Sequence, residues 1–191
     1  MLDADDLTAE QKAILFIVDK LSQRFSIDKL YIQKVVFLIT HLLPDTFAIY
    51  DYEPNKMGMY SAEVALTIKR EEDLGLIEGL KPTALGKEII SSISSLEPIK
   101  KVSDILSAVE GLSKYDILYL LYNLYPEFTA ASEIKESVDS YKLQSVTIDT
   151  DTLKEGQETQ IKTDKGNFLV IKKAGKSIQI VSYKDGQNGQ T

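Results

Sequence analysis

One histidine, no cysteine and no tryptophan leave this 191-residue chain few ways to carry out chemistry. His41 sits in the apolar run VVFLITHLL, and no G-x-S-x-G elbow is present to give it a serine partner. A lone histidine in a helix makes neither a metal site nor a triad, so His41 is expected to be structural. GLKPTALGKE invites comparison with a phosphate-binding loop and fails it. Lys81 stands where the first glycine belongs, and Glu88 where a hydroxyl must bind the metal. IDTDTLKEG offers Asp149 and Asp151 as the first two ligands of a calcium loop. Leu153 then replaces the third ligand and Lys154 the required glycine. The carboxylates Glu71-Glu72-Asp73 read as a solvated helix face rather than an acid/base pair. The expectation is a protein that is not an enzyme, with no cofactor and no metal.

The elements that would position any binding residue are largely helical. LTAEQKAILFIVDKLSQ opens a first helix, with Thr8 and Gln11 at capping-box spacing and Ile14, Ile17, Val18 and Leu21 at helical intervals. Ser26 is a cap candidate for DKLYIQKVVFLITHLLP, apolar on nearly every face and expected as the buried central helix, with Pro44 ending it. FAIYDYEPNKMGMY reads as an irregular connection with a short strand near Phe47 to Tyr52. Ser61 caps a third helix over 61–74, and Gly75 suits its C-terminal end. LIEGLKPTALGKEI then predicts a tight hairpin at Gly79 and Pro82, followed by a helix capped by Thr83 and running to about Leu96. Three helices, a hairpin and a further helix make a winged-helix pattern.

Two or three more helices follow Pro98. One of them, SKYDILYLLYNLYPEF, carries Tyr115, Tyr119 and Tyr122 at i, i+4 and i+7. Packing with the hydroxyls at the rim accounts for that stripe; a partner-binding face is the alternative. From Val146 the texture changes to short runs rich in Val, Ile and Thr, separated by turn signals. The fold class expected is α+β: a mainly helical winged-helix-like domain over 1–145 with extra C-terminal helices. A small antiparallel β-meander of three or four strands is expected over 146–185, then a disordered tail over 186–191.

A hydrophobic fraction of 43% is enough to build a core, yet no span approaches the ~20 apolar residues of a membrane helix. The acidic start MLDADD lacks the basic region of a signal peptide, and the absence of cysteine fits a cytoplasmic protein. The net charge of −7 is uneven. Residues 146–191 hold seven lysines against six carboxylates, whereas residues 1–145 hold 15 Lys/Arg against 23 Asp/Glu. An acidic body lacks the general attraction to phosphate that many nucleic-acid binders use.

KLYIQKVVFLI, MGMYSAEVALTIKREEDLGLI and LKPTALGKEI together resemble the YwgA-like and SocA-like (Panacea) proteins. The matching positions are Lys29, Leu30, Lys34, Gly58, Tyr60, Ser61, Leu74, Gly75, Leu76, Ile77, Thr83, Gly86 and Lys87, and the likeness covers about residues 10–135. The family's Gly-Pro-Tyr-Ser turn is Gly58-Met59-Tyr60-Ser61 here. The resemblance implies a winged-helix core and a regulator or antitoxin-like binding module.

Two functions follow as expectations. The first is DNA-associated regulation, with double-stranded DNA as partner. Helix 61–74 would enter the major groove through Ser61, Glu63 and Thr67, with Lys69 and Arg70 near phosphates and Lys81 at the wing. A variant uses Lys172, Lys173 and Lys176 on the C-terminal strands, unless those lysines only guard an edge strand. The second is an acidic protein-interaction module, a homodimer in its simplest form, using the sheet or Tyr115, Tyr119 and Tyr122.

Overall fold

The computed structural model of the chain describes residues 2–23, 27–43, 46, 50–108, 114–139, 158–162, 168–174 and 177–184. In chain order the helices are α1 (Ala9–Ser22), α2 (Lys29–Leu42), α3 (Ala62–Asp73), α4 (Ala84–Ile93), α5 (Glu97–Ala108), α6 (Lys114–Leu124) and α7 (Lys135–Asp139). The strands are β1 (Glu53–Asn55), β2 (Gly58–Tyr60), β3 (Ile77–Glu78), β4 (Lys81–Pro82), β5 (Glu158–Lys162), β6 (Phe168–Ala174) and β7 (Ser177–Lys184). A mostly helical chain with small antiparallel sheets is an α+β protein. Among the described residues no helix is long and apolar enough to cross a membrane. The chain divides into two compact units, one of Met1–Tyr52 with Ser61–Leu106 and one of Glu53–Tyr60 with Ser107–Thr191.

The first unit is built on α1 and α2. Thr8 and Gln11 close the capping box at the start of α1 as expected. Asp28, not Ser26, caps α2 by accepting the Tyr31 N–H at 2.7 Å; Ser26 and Pro44 lie outside the described residues. Ile14, Leu15, Ile17 and Leu21 of α1 and Ile32, Val35, Phe37 and Ile39 of α2 are buried, as the apolar faces require. Each such side chain contributes roughly 1.5–3 kcal/mol by leaving water. Helix α1 packs on α3, α4 and β4, and α2 packs on α1 and α3.

The segment from α3 to α4 closes on itself. Gly75, at φ 71°, ends α3 in a Schellman motif: the Leu76 N–H donates to the Glu71 carbonyl at 2.9 Å and the Gly75 N–H to the Glu72 carbonyl at 3.0 Å. Strands β3 and β4 pair Ile77 with Pro82 and Glu78 with Lys81, leaving Gly79 and Leu80 as a two-residue turn at φ 55° and 60°. Positive φ at both positions is the requirement of a type I′ hairpin. Thr83 then caps α4, its hydroxyl accepting from Gly86 N–H at 3.1 Å and donating to the Gly75 carbonyl at 2.7 Å. A Cβ at Gly86 would lie 2.2 Å from the Leu76 carbonyl oxygen, so only glycine lets the helix start that close to the hairpin. Helix α5 begins at Glu97, one residue before Pro98, because the missing N–H of a proline costs nothing in a helix's first turn.

In the second unit, β1 pairs antiparallel with β2, Glu53 opposite Tyr60 and Asn55 opposite Gly58; of the strand expected near Phe47 to Tyr52, residues 47–49 lie outside the described residues. Pro54 fits because a two-stranded ribbon leaves it an unpaired side. Gly58, at φ 82°, brings its Cα so near the Tyr122 ring of α6 that a Cβ would fall 2.6 Å from it. Glu133 N–H donates to the Lys56 carbonyl at 2.8 Å, and their side chains form an ion pair at 2.8 Å. The last three strands pair antiparallel in the order β5-β6-β7. The boundary expected at 145/146, the strand expected in VTID and the tail 186–191 lie outside the described residues.

Candidate functional site

The side chains singled out on α3 are divided by the helix into a buried set and an exposed set. Val64, Thr67, Ile68 and Glu71 form its inward stripe. Ser61 is fully buried: its hydroxyl caps Val64 N–H at 3.4 Å, and its backbone is held by Gln33 of α2. The Gln33 side-chain N–H donates to the Ser61 carbonyl at 2.8 Å, and Ser61 N–H donates back to the Gln33 side-chain carbonyl at 3.1 Å. Thr67 is buried, donating to the Glu63 carbonyl at 2.9 Å. Ser61 and Thr67, the residues expected to read bases, are thus both buried, with their hydroxyls bonded to the backbone of α3. Lys69 is exposed but neutralised one turn on by Asp73, the exposed pair holding the ammonium pKa above its usual value.

Glu71 overturns the reading of Glu71-Glu72-Asp73 as a solvated face. It is fully buried, and among the described residues neither carboxylate oxygen has a hydrogen-bond partner. Burial in a low-dielectric core pushes its carboxyl pKa up to about 9, so it is held neutral. Asp73 is exposed, and Glu72 meets Lys29 of α2 at 3.6 Å.

Besides Ala62, Lys69 and Asp73, α3 leaves Glu63, Leu66 and Arg70 exposed, and these three line an open cleft of ≈ 380 Å³. Thr8, Glu10 and Gln11 at the start of α1 line the same cleft, and Tyr50 and Thr67 complete the lining. One Glu63 carboxylate oxygen accepts the Asp51 N–H at 3.2 Å. Leu66 is 50% exposed. Burial raises the Tyr50 phenol pKa well above its usual value, and the carboxylates of Glu10, Glu71 and Glu63 add to the shift. Thr67 lies beside that phenol, although the geometry does not complete a hydrogen bond.

The remaining predicted residues are dispersed. Lys81 is exposed on β4. Lys172 and Lys173 lie in β6, the middle strand of its sheet, so they do not guard an edge; Lys176 is outside the described residues. Tyr115, Tyr119 and Tyr122 do not share an exposed face. Tyr115 is 51% exposed, Tyr119 half-buried and Tyr122 2% exposed, its hydroxyl 2.7 Å from that of Ser132. His41 stacks on Phe37, ring centroids 3.8 Å apart, with its Nδ1 2.9 Å from the Phe37 carbonyl. No group of three or more acidic or histidine side chains among the described residues could hold a metal.

Gln33, Tyr50 and Leu66 escape reasoning from residue type. An apolar residue out of phase with Val64, Ile68 and Glu71 is the signal for Leu66; the other two carry none. The chain matches no protein-family model and no curated protein.

Proposed function

We propose that α1 to α4, with the β3–β4 hairpin, form a winged helix, and that the chain is a non-catalytic regulatory module whose exposed α3 face meets protein rather than phosphate. The observation that carries this is the composition of that face. Its two hydroxyl candidates are buried, Lys69 is neutralised by Asp73, and the accessible stripe is Glu63, Leu66 and Arg70. Carboxylates facing a phosphate backbone repel it, whereas an exposed leucine between opposite charges suits a protein surface. The order helix, helix, helix, hairpin, helix supports the winged-helix reading, as does the likeness to YwgA-like and SocA-like proteins.

DNA-associated regulation, as a transcriptional regulator or antitoxin-like protein, is the second reading. Arg70 and Lys81 favour it, being exposed and making no ion pair among the described residues. Lys172 and Lys173, neighbours on one strand, supply further positive charge. Titrating labelled random duplex DNA with the protein, followed by fluorescence anisotropy at low and near-physiological salt, separates the two. The expected result is no binding at about 20 µM in low salt, where non-specific DNA binders register. Steeply salt-dependent binding abolished by Arg70→Glu would return α3 to the DNA reading; loss with Lys172→Glu instead would assign it to the C-terminal strands.

A further inference from the structure

The exposed stripe of α3 is complementary to itself. Glu63 and Arg70 are seven residues apart, two helical turns or about 10 Å along one side of the helix. Their midpoint falls between Leu66 and Thr67, and Leu66 is half exposed there. A two-fold axis through that midpoint, perpendicular to the helix, exchanges the positions of the carboxylate and the guanidinium and lays leucine against leucine. Interfaces of that kind need one patch that contacts itself, each residue meeting its counterpart twice.

We propose that the chain pairs with a second copy of itself through this stripe, the two α3 helices antiparallel, Glu63 of each copy meeting Arg70 of the other across facing Leu66 side chains. The proposal rests on the reading that α3 faces protein, and it names that protein.

The surroundings suit the pairing. The Asp51 N–H holds one Glu63 oxygen and leaves the other for a partner, so little side-chain freedom is lost on binding. Arg70 has no ion pair to give up among the described residues. The next exposed charges, Lys69 and Asp73, already satisfy each other. Ala62 and Ala65 add no bulk that would keep a second helix away. The ≈ 380 Å³ cleft beside the stripe gives the incoming Leu66 and Arg70 side chains room to enter. An interface centred on one helix stripe is small, so a weak, salt-sensitive dimer follows.

Sedimentation equilibrium of the full chain from about 5 to 500 µM, at low and high salt, tests this, with circular dichroism confirming that each variant folds. The expected result is a monomer–dimer equilibrium that weakens with salt. Glu63→Arg alone and Arg70→Glu alone should each raise the dissociation constant at least about tenfold. The double variant Glu63→Arg/Arg70→Glu should restore it to within about threefold, because the exchanged charges still meet. Lys81→Glu, away from the stripe, should leave it unchanged. A monomer at every concentration, a dimer indifferent to the single changes, or a double variant no better than the singles would each overturn the proposal. The DNA titration keeps the two readings apart. A monomer that binds no DNA sinks self-pairing alone, while a monomer whose DNA binding needs Arg70 sinks the protein-facing reading as well.

Discussion

The side-chain amide of Gln33 engages the Ser61 backbone as a neighbouring strand would, giving one hydrogen bond and accepting one, at 2.8 Å and 3.1 Å. Both residues are buried, so this two-way bond fixes where α3 starts relative to α2. Gln33→Ala removes both partners at once and leaves a buried N–H without an acceptor. The expected cost is about 2–4 kcal/mol, read as a lower urea midpoint. Gln33→Glu should be no better, since a carboxylate cannot donate to the Ser61 carbonyl. An unchanged midpoint in both variants would show that the clamp contributes nothing.

Gly75 and Gly86 are needed for different reasons, and alanine should separate them. At Gly75 an added Cβ meets nothing within 4 Å, and only its φ of 71° resists; Gly75→Ala should cost about 1 kcal/mol. At Gly86 the Cβ would lie 2.2 Å from a backbone oxygen that cannot swing away. Gly86→Ala should therefore cost about 3 kcal/mol, with the β3–β4 hairpin displaced. Equal midpoints for the two variants would contradict this assignment.

Leu80 occupies the left-handed region at φ 60°, which a side chain of its size rarely adopts. Leu80→Gly removes that penalty and completes a turn that favours small residues. A gain of about 1 kcal/mol is expected, measured by thermal or urea unfolding. A loss would mean that packing of the leucine outweighs the backbone strain.

Glu71 predicts a pH dependence of definite sign. Its carboxyl pKa is raised from 4.5 to about 9 in the folded chain. Below the unfolded pKa both states hold the proton and the group's contribution is fully present. Between there and the folded pKa only the folded state holds it, so stability falls as pH rises, by up to about 1.4 kcal/mol per pH unit. Above the folded pKa there is no further loss. Glu71→Met, of similar size and without charge, should be more stable than the natural chain at pH 8, and the gap should narrow toward pH 5. A gap constant across that range would rule out titration of Glu71 as the cause.

Tyr122 and Gly58 make a contact that can be probed inside the second unit. Tyr122→Phe keeps the ring against Gly58 and removes the hydroxyl that lies 2.7 Å from that of Ser132, at a cost of about 1 kcal/mol. Gly58→Ala forces the ring away and strains the backbone, and should cost more. Hydrogen exchange of the β1–β2 amides would reveal the difference as faster opening in Gly58→Ala.

Signals that close within a few residues are legible in the amino-acid order. Thr8, Ser61 and Thr83 cap the helices they are expected to cap, because a cap needs only the N–H groups two or three residues on. Gly75 is recognisable for the same reason. Expectation and structure part where residue type and helical phase disagree. Glu71 continues the inward stripe of Val64 and Ile68, yet its charge argues for solvent; Ser61 and Thr67 are polar, yet they lie on buried sides. The tyrosines share a stripe by spacing, but Gly58 lets the chain close over Tyr122 while Tyr115 stays out.

The amino-acid order by itself determined the capped starts of α1, α3 and α4, the glycine that closes α3, and the tight hairpin between α3 and α4. Those depend on φ/ψ preferences and on hydrogen bonds spanning a turn or less. Only the tertiary structure decided that Gln33 clamps Ser61 from 28 residues away, that Glu71 is buried, and that Glu63, Leu66 and Arg70 remain exposed. The difference is physical: burial is set by which distant segment packs against a side chain, and no local rule carries that information.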